Sequence, residues 1–168
     1  MTHNTQAAYV LLDITNAHGW RDYSARIGIW HTIDALDRNG IRATVPLTRA
    51  AVEQYPQIIA AGQARGWAWL AAEHEAVEAI ERVTGTKPRG WSGPAPAPPG
   101  LAYEASELDA RPVVLRPFER GRPLRYKYLD QTLARLAAEA DLWLTTSDDI
   151  AEAQVTGTPM CMLIHCRA

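Results

Sequence analysis

Four residues of this sequence have side chains able to move a proton or hold an anion, each at a place where an apolar stretch begins or ends. Asp13 and His18 lie in "LLDITNAHGW", Arg89 in "KPRGW" and Arg116 in "VVLRPFER". A carboxylate buried at a strand end has its pKa raised and can serve as a general base. An imidazole titrates near neutrality, and a guanidinium presents a planar, two-pronged face to an oxyanion. Together they would do acid–base chemistry on a small, anionic or strongly polarised substrate without a metal. Trp20 and Trp91 would wall off a planar substrate, and Arg26 would bind an anion.

Each has a plainer reading. Asp13 can cap the turn that follows it, and His18 and Trp20 can cover a rim. Arg26 can pair with a neighbouring acid. Trp91 can be core, with Arg89 a surface charge beside a proline turn. Arg116 is a charge in an apolar strand, so it must be paired or face a site, with Glu119 or Glu107 as candidate partners. Glu73, His74 and Glu75 look like metal ligands, but adjacent helical positions point apart. "CMLIHC" places Cys161, His165 and Cys166 together, but adjacent Cys and His on a strand face opposite sides. No metal and no cofactor is expected.

The elements that must position these residues alternate along the chain. "AAYVLLDIT" (Ala7–Thr15), "IRATVPL" (Ile41–Leu47), "GWAWLAA" (Gly66–Ala72), "RPVVLRPF" (Arg111–Phe118) and "DLWLTT" (Asp141–Thr146) read as strands. Between them lie helices. The first is capped by Ser24 and stopped at Gly40, with Ile27, Trp30, Ile33 and Leu36 inward. The second is capped by Thr48 and interrupted at Tyr55–Pro56. The third has Val77, Ile80 and Val83 inward and ends at Gly85. Another carries Leu129, Leu133, Leu136 and Ala140 on one face. Ser147 and two aspartates open the last. Trp67, Trp69 and Trp143 fall on apolar faces, and the tail from Thr158 reads as one more strand. The run "PAPAPPG" would bridge a compressed loop or dock on a partner as a polyproline helix. Alternating strands and helices predict a parallel α/β sheet, open or curled into a barrel, whose sites form at the C-terminal strand ends.

Composition narrows the classes. The chain has 168 residues, 47% hydrophobic and 21% charged, with a net charge of -2. That fits one domain, 1–168, with a real core. Scattered Lys and Arg argue against nucleic acid as a partner. The apolar runs are too short to span a bilayer. No secretory leader is legible, and two cysteines make no disulfide scaffold, so a cytoplasmic location is expected.

Four segments then point to a family: "YSARIGIWHTIDALDRNGIRATVPLTRAAVEQYPQII", "AIERVTGTKPRGW", "GRPLRYKYLDQTLARLA" and "DLWLTTSDDIA". They contain an Arg-x-Gly helix start, a G-I-x-A-T strand, a T-G-x-x-P-x-G-W turn and a G-x-P-x-R helix entry, in that order. The sequence thereby resembles the polysaccharide deacetylase superfamily, and most closely its metal-independent, allantoinase-like branch. The resemblance implies a distorted, incomplete (β/α) barrel of about five to seven mostly parallel strands, hydrolysing C–N bonds of amides or cyclic ureides. It implies that Asp13 stands where the family keeps its acid or base, and that Arg89 and Trp91 lie near the site mouth. Two family histidines have no counterpart. One would follow the third strand, and the other would stand where this chain has Arg116. The Asp-His-His set that would hold zinc cannot be assembled.

Three readings remain open: a metal-independent enzyme for a small, anionic substrate; an inactive relative that binds a small anion or a partner protein; and a subunit that completes its barrel as a homodimer.

Overall fold

The computed structural model describes residues 6–15, 27–117 and 123–158. Among these residues there are seven strands, β1 (Gln6–Leu12), β2 (Ala43–Leu47), β3 (Ala68–Ala71), β4 (Gly90–Trp91), β5 (Tyr103–Glu104), β6 (Arg111–Leu115) and β7 (Leu142–Thr145). The helices are α1 (Ile29–Arg38), α2 (Arg49–Gln54), α3 (Pro56–Ala64), α4 (His74–Thr84), α5 (Pro123–Ala137) and α6 (Ser147–Thr156).

The strands form one sheet in the order β5-β4-β3-β2-β1-β6, with β7 also paired to β1. Every pairing is parallel. β1 is central because its two edges serve three neighbours. Ala8 and Tyr9 pair with β6 and with β7, so those two strands lie on opposite edges. β2 takes the rest of the β7 edge, at Val10 and Leu11. Among the described residues nothing joins β5 to β6, so the curled sheet is an incomplete barrel, as the alternation of elements and the resemblance led one to expect.

The strand period of two sorts β1 onto two cores. Ala8, Val10 and Leu12 join the larger one, with Ile33, Leu36, Ile59, Ile80 and Leu133 from α1, α3, α4 and α5. Ala7 and Tyr9 face the other side and meet Trp143, Ile150 and Ala153. α6 thus covers the face that the other helices leave.

Local chemistry explains most helix ends. Thr48 accepts a hydrogen bond from the Ala51 amide at 3.1 Å and caps α2. Pro56 lacks an amide hydrogen and opens α3, so Tyr55 closes one helix and begins the next. Gly85 ends α4 at φ 76°, a conformation that side chains with a Cβ avoid.

Three expectations are corrected. The buried stripe of α1 runs through Ile29, Thr32, Ile33 and Leu36, leaving Trp30 42% exposed and Ile27 outside the core. Val83 is exposed, because the buried face of α4 runs through Ala76, Ala79 and Ile80. The cap of α6 is Thr146, whose hydroxyl accepts from the Asp149 amide, and Ser147 is the first helical residue. Two-residue β5 was not legible at all. No helix among the described residues is long and apolar enough to cross a membrane. Ser24, Phe118, Glu119 and the tail 159–168 lie outside the described residues.

Candidate functional site

Asp13 follows β1 and Arg116 follows β6, and the whole of β6 pairs with β1, from Ala8 with Arg111 to Leu12 with Leu115. The ladder runs one step further, with the Asp13 amide donating to the Leu115 carbonyl at 2.9 Å. This carries the two side chains to the same C-terminal edge. Arg116 Nε stands 3.8 Å from Asp13 Oδ2. The acid is the more sheltered partner, its side chain 16% exposed against 58% for the arginine.

The two carboxylate oxygens of Asp13 are not equivalent. Oδ1 accepts from the Thr15 amide at 3.0 Å and the Thr15 hydroxyl at 2.6 Å. It therefore closes the turn after β1, as the plainer reading has it. Oδ2 faces Arg116 and is the oxygen left to take a proton. One aspartate thus closes the turn with one oxygen and presents the other to Arg116.

The other expected site residues that the structure describes, Arg89 and Trp91, do not join this pair. Arg89 precedes β4, so in a parallel sheet it belongs to the end opposite Asp13 and Arg116. It pairs with Glu152 of α6 at 3.2 Å, both partners exposed. Trp91 is 1% exposed and sits in the larger core. Its indole N–H donates to the Ala95 carbonyl at 2.8 Å. Trp91 therefore anchors the proline-rich run and does not wall a substrate pocket. His74 opens α4, faces the Trp91 ring edge-on, and bonds the Pro96 carbonyl at 3.0 Å. Glu73 accepts from the Arg49 amide at 2.7 Å. His18, Trp20 and Arg26 lie outside the described residues, as do Cys161, His165 and Cys166.

A second polar cluster had escaped sequence reasoning. The Tyr103 hydroxyl donates to Asp148 Oδ1 at 2.6 Å and lies 2.7 Å from Ser147 Oγ. Burial pushes the Tyr103 phenol well above its ordinary value, with Asp148 adding to the shift. Burial likewise raises the Asp148 carboxyl, opposed by the Tyr103 hydrogen bond and the positive charge of Arg89. Its neighbour Asp149 goes the other way. Burial works against its charge, yet hydrogen bonds from Thr145 and Arg42 and the Arg42 charge bring it below the ordinary value. Arg42 Nη2 and Thr145 Oγ1 each lie 2.5 Å from Asp149 Oδ2. The only sequence signal for this cluster was the aspartate pair itself, since Tyr103 is far away in the chain.

No protein-family model matches the sequence, and no curated protein matches it significantly. Solved structures do. PuuE allantoinase superposes with a TM-score of 0.71 at 14% identity, over 94% of this chain and 93% of that one. A probable polysaccharide deacetylase from Pseudomonas aeruginosa gives the same values. A family 4 carbohydrate esterase from Bacillus anthracis gives 0.64 at 12% identity, over 90% of this chain and 84% of that one. The chain has the polysaccharide-deacetylase fold. Within that fold, the Asp13–Arg116 pair occupies the C-terminal strand ends, where parallel barrels build their sites.

A metal-dependent variant of this chemistry needs an acid and two histidines around one open coordination position. Among the described residues the donor set at Asp13 does not fit, because the neighbour of its second oxygen is the Arg116 guanidinium. Among the described residues no three His, Cys, Asp or Glu side chains are grouped as ligands.

Proposed function

We propose that this protein is a hydrolase acting on a C–N bond of a small amide or cyclic ureide, with Asp13 and Arg116 as its working pair. The observation that carries the reading is the position of that pair: a sheltered carboxylate whose second oxygen faces an arginine, at the C-terminal edge of paired strands. The fold supports it, since the similar structures include an allantoinase and a polysaccharide deacetylase.

In the proposed step, Asp13 Oδ2 takes a proton from a water molecule as its oxygen adds to the substrate carbonyl carbon. Negative charge collects on the former carbonyl oxygen, where the Arg116 guanidinium stabilises it. The tetrahedral intermediate collapses by breaking the C–N bond, and Asp13 returns its proton to the leaving nitrogen. Arginine does not exchange the proton near neutral pH, so Asp13 is assigned both halves of the reaction. No step is routed through a metal. Arg26 and Trp20 are proposed as further contacts to the substrate, and His18 as a catalytic group that assists Asp13 in proton transfer.

The test is a panel of N-acetylated amines and cyclic ureides, followed by NMR for the new amine and carboxylate, with and without EDTA. Turnover that survives EDTA and is lost in Asp13→Asn is expected. Turnover by Asp13→Asn at the wild-type rate, or activity restored to the EDTA-treated protein only by zinc, would overturn the assignment. If no member of the panel reacts, while a small anion protects the wild type but not Arg116→Ala from thermal unfolding, the inactive anion-binding reading replaces it.

A further inference from the structure

A cleft of about 440 Å³ opens at the opposite end of the sheet, where the chain enters β3 and β4. Gln63 and Thr84 line it from the ends of α3 and α4, Lys87 and Arg89 from the approach to β4, and Asp148 from the start of α6. Trp67 and Trp69 supply its aromatic edges. Neither Asp13 nor Arg116 takes part. Small-molecule sites have volumes of this order and combine apolar walls with a few polar groups.

The polar groups are incompletely committed. Lys87 forms no ion pair among the described residues. Arg89 is held by Glu152 at 3.2 Å, but both side chains are exposed, so solvent screens the pair and a competing carboxylate can take the guanidinium. Asp148 uses Oδ1 for Tyr103, and its other oxygen bonds nothing among the described residues. The Trp67 indole N–H is buried without an acceptor among the described residues, an uncommon state for a native donor. The Cε3 edge of that ring faces Gly62 of α3, which turns its N–H edge away from the helix.

We propose that this cleft is a binding site for a small, planar aromatic carboxylate that carries a hydroxyl or amino donor. The carboxylate pairs with Lys87 and Arg89, the ring lies against the tryptophan edges, and the donor reaches Asp148. The two cations require an anion, the indoles favour a flat ring over an aliphatic chain, and the free oxygen of Asp148 requires a donor. The site is independent of the Asp13–Arg116 pair and of the hydrolase reading.

Isothermal titration of the full chain with 4-hydroxybenzoate tests this. Saturable binding at one site per chain is expected. Lys87→Glu should weaken it at least about tenfold, since an attractive charge becomes a repulsive one, and Lys87→Gln should weaken it less. 4-Hydroxybenzamide, the same ring without the charge, should bind at least about tenfold more weakly. Asp13→Asn should bind as the wild type does. Absence of saturable binding to the wild type would overturn the proposal, as would affinity unchanged in both Lys87 variants or lost in Asp13→Asn. None of these outcomes depends on turnover, so the proposal fails or stands separately from the catalytic reading.

Discussion

Replacing Arg116 by lysine keeps the positive charge and removes the planar fork, and the structure says what each should be worth. Arg116 Nε is 3.8 Å from Asp13 Oδ2, with the arginine side chain 58% exposed. Two unit charges about 4 Å apart in water attract by about 1 kcal/mol, and exposed ion pairs measure about 0–1 kcal/mol. Lysine retains part of that attraction. Stability should therefore change by less than about 1 kcal/mol, which for a chain of this size moves the melting temperature by less than roughly 2–4 °C. The loss in catalysis should be far larger. Removing one preorganised stabiliser of a developing oxyanion lowers turnover by roughly a hundredfold or more, equivalent to about 2.7 kcal/mol. The assay is paired: melting followed by circular dichroism, and kcat on the best substrate of the panel. A variant that melts more than about 4 °C lower yet turns over normally would refute the reasoning. It would make Arg116 a structural partner of Asp13.

Thr44→Val tests the seam between β2 and α6: both Thr44 and Ser147 are fully buried, and the Ser147 amide donates to the Thr44 hydroxyl at 3.0 Å. The orphaned amide should lower stability by about 1–3 kcal/mol in urea unfolding; an unchanged midpoint would mean that the amide finds another acceptor. Gly90→Ala should also destabilise, because a Cβ there would collide with Leu70 and the Tyr103 ring; about 1–3 kcal/mol is typical of overpacking, and denaturant titration reads it directly. The neighbouring aspartates should give opposite pH slopes. Asp149 is held below the ordinary carboxylate value, so the stability it contributes is present above the unfolded pKa and lost as pH falls through the folded one. Asp148 is raised, so its contribution is present in acid and lost as pH rises from the unfolded value through the folded one. Unfolding free energies from pH 3 to 7 should accordingly lose stability at the acid end less steeply in Asp149→Asn than in the wild type, and more steeply in Asp148→Asn; the reverse order would contradict both assignments.

Much of this architecture is written locally. The apolar run ending at Asp13, the break at Tyr55–Pro56, the Thr48 cap and the Gly85 stop each follow from a few adjacent residues. Backbone sterics, side-chain capping and hydrophobic period act over one or two turns, so a single sequence displays them. The parallel, curled sheet also follows, because strand and helix alternate with connections too long for hairpins. That Asp13 and Arg116 would each stand at a strand end was legible too. Sequence reasoning also grouped them in one site, but it named Glu119 or Glu107 as the partner of Arg116, and the direct pairing with Asp13 was not legible. Their 3.8 Å approach exists because β6 pairs with β1 and not with its sequence neighbours, and strand order is set by which faces can be buried together.

The same holds for the residues that sequence reasoning misplaced. Arg89 and Trp91 sat at a chemically suggestive junction, but the direction of β4 sends the arginine to the far end of the sheet, and the strand alternation turns the indole into the larger core. Trp30 looked inward by spacing, yet the phase of α1 against the sheet was decided by Ile29, Ile33 and Leu36. The bond from Tyr103 to Asp148 and the cleft beside it depend on α6 covering the second face of β1. No local pattern encodes that placement. It comes from Tyr9, Trp143 and Ile150 packing together, with Leu11, Leu108 and Ala110 against them, a property of the assembled sheet and of no single stretch of the chain.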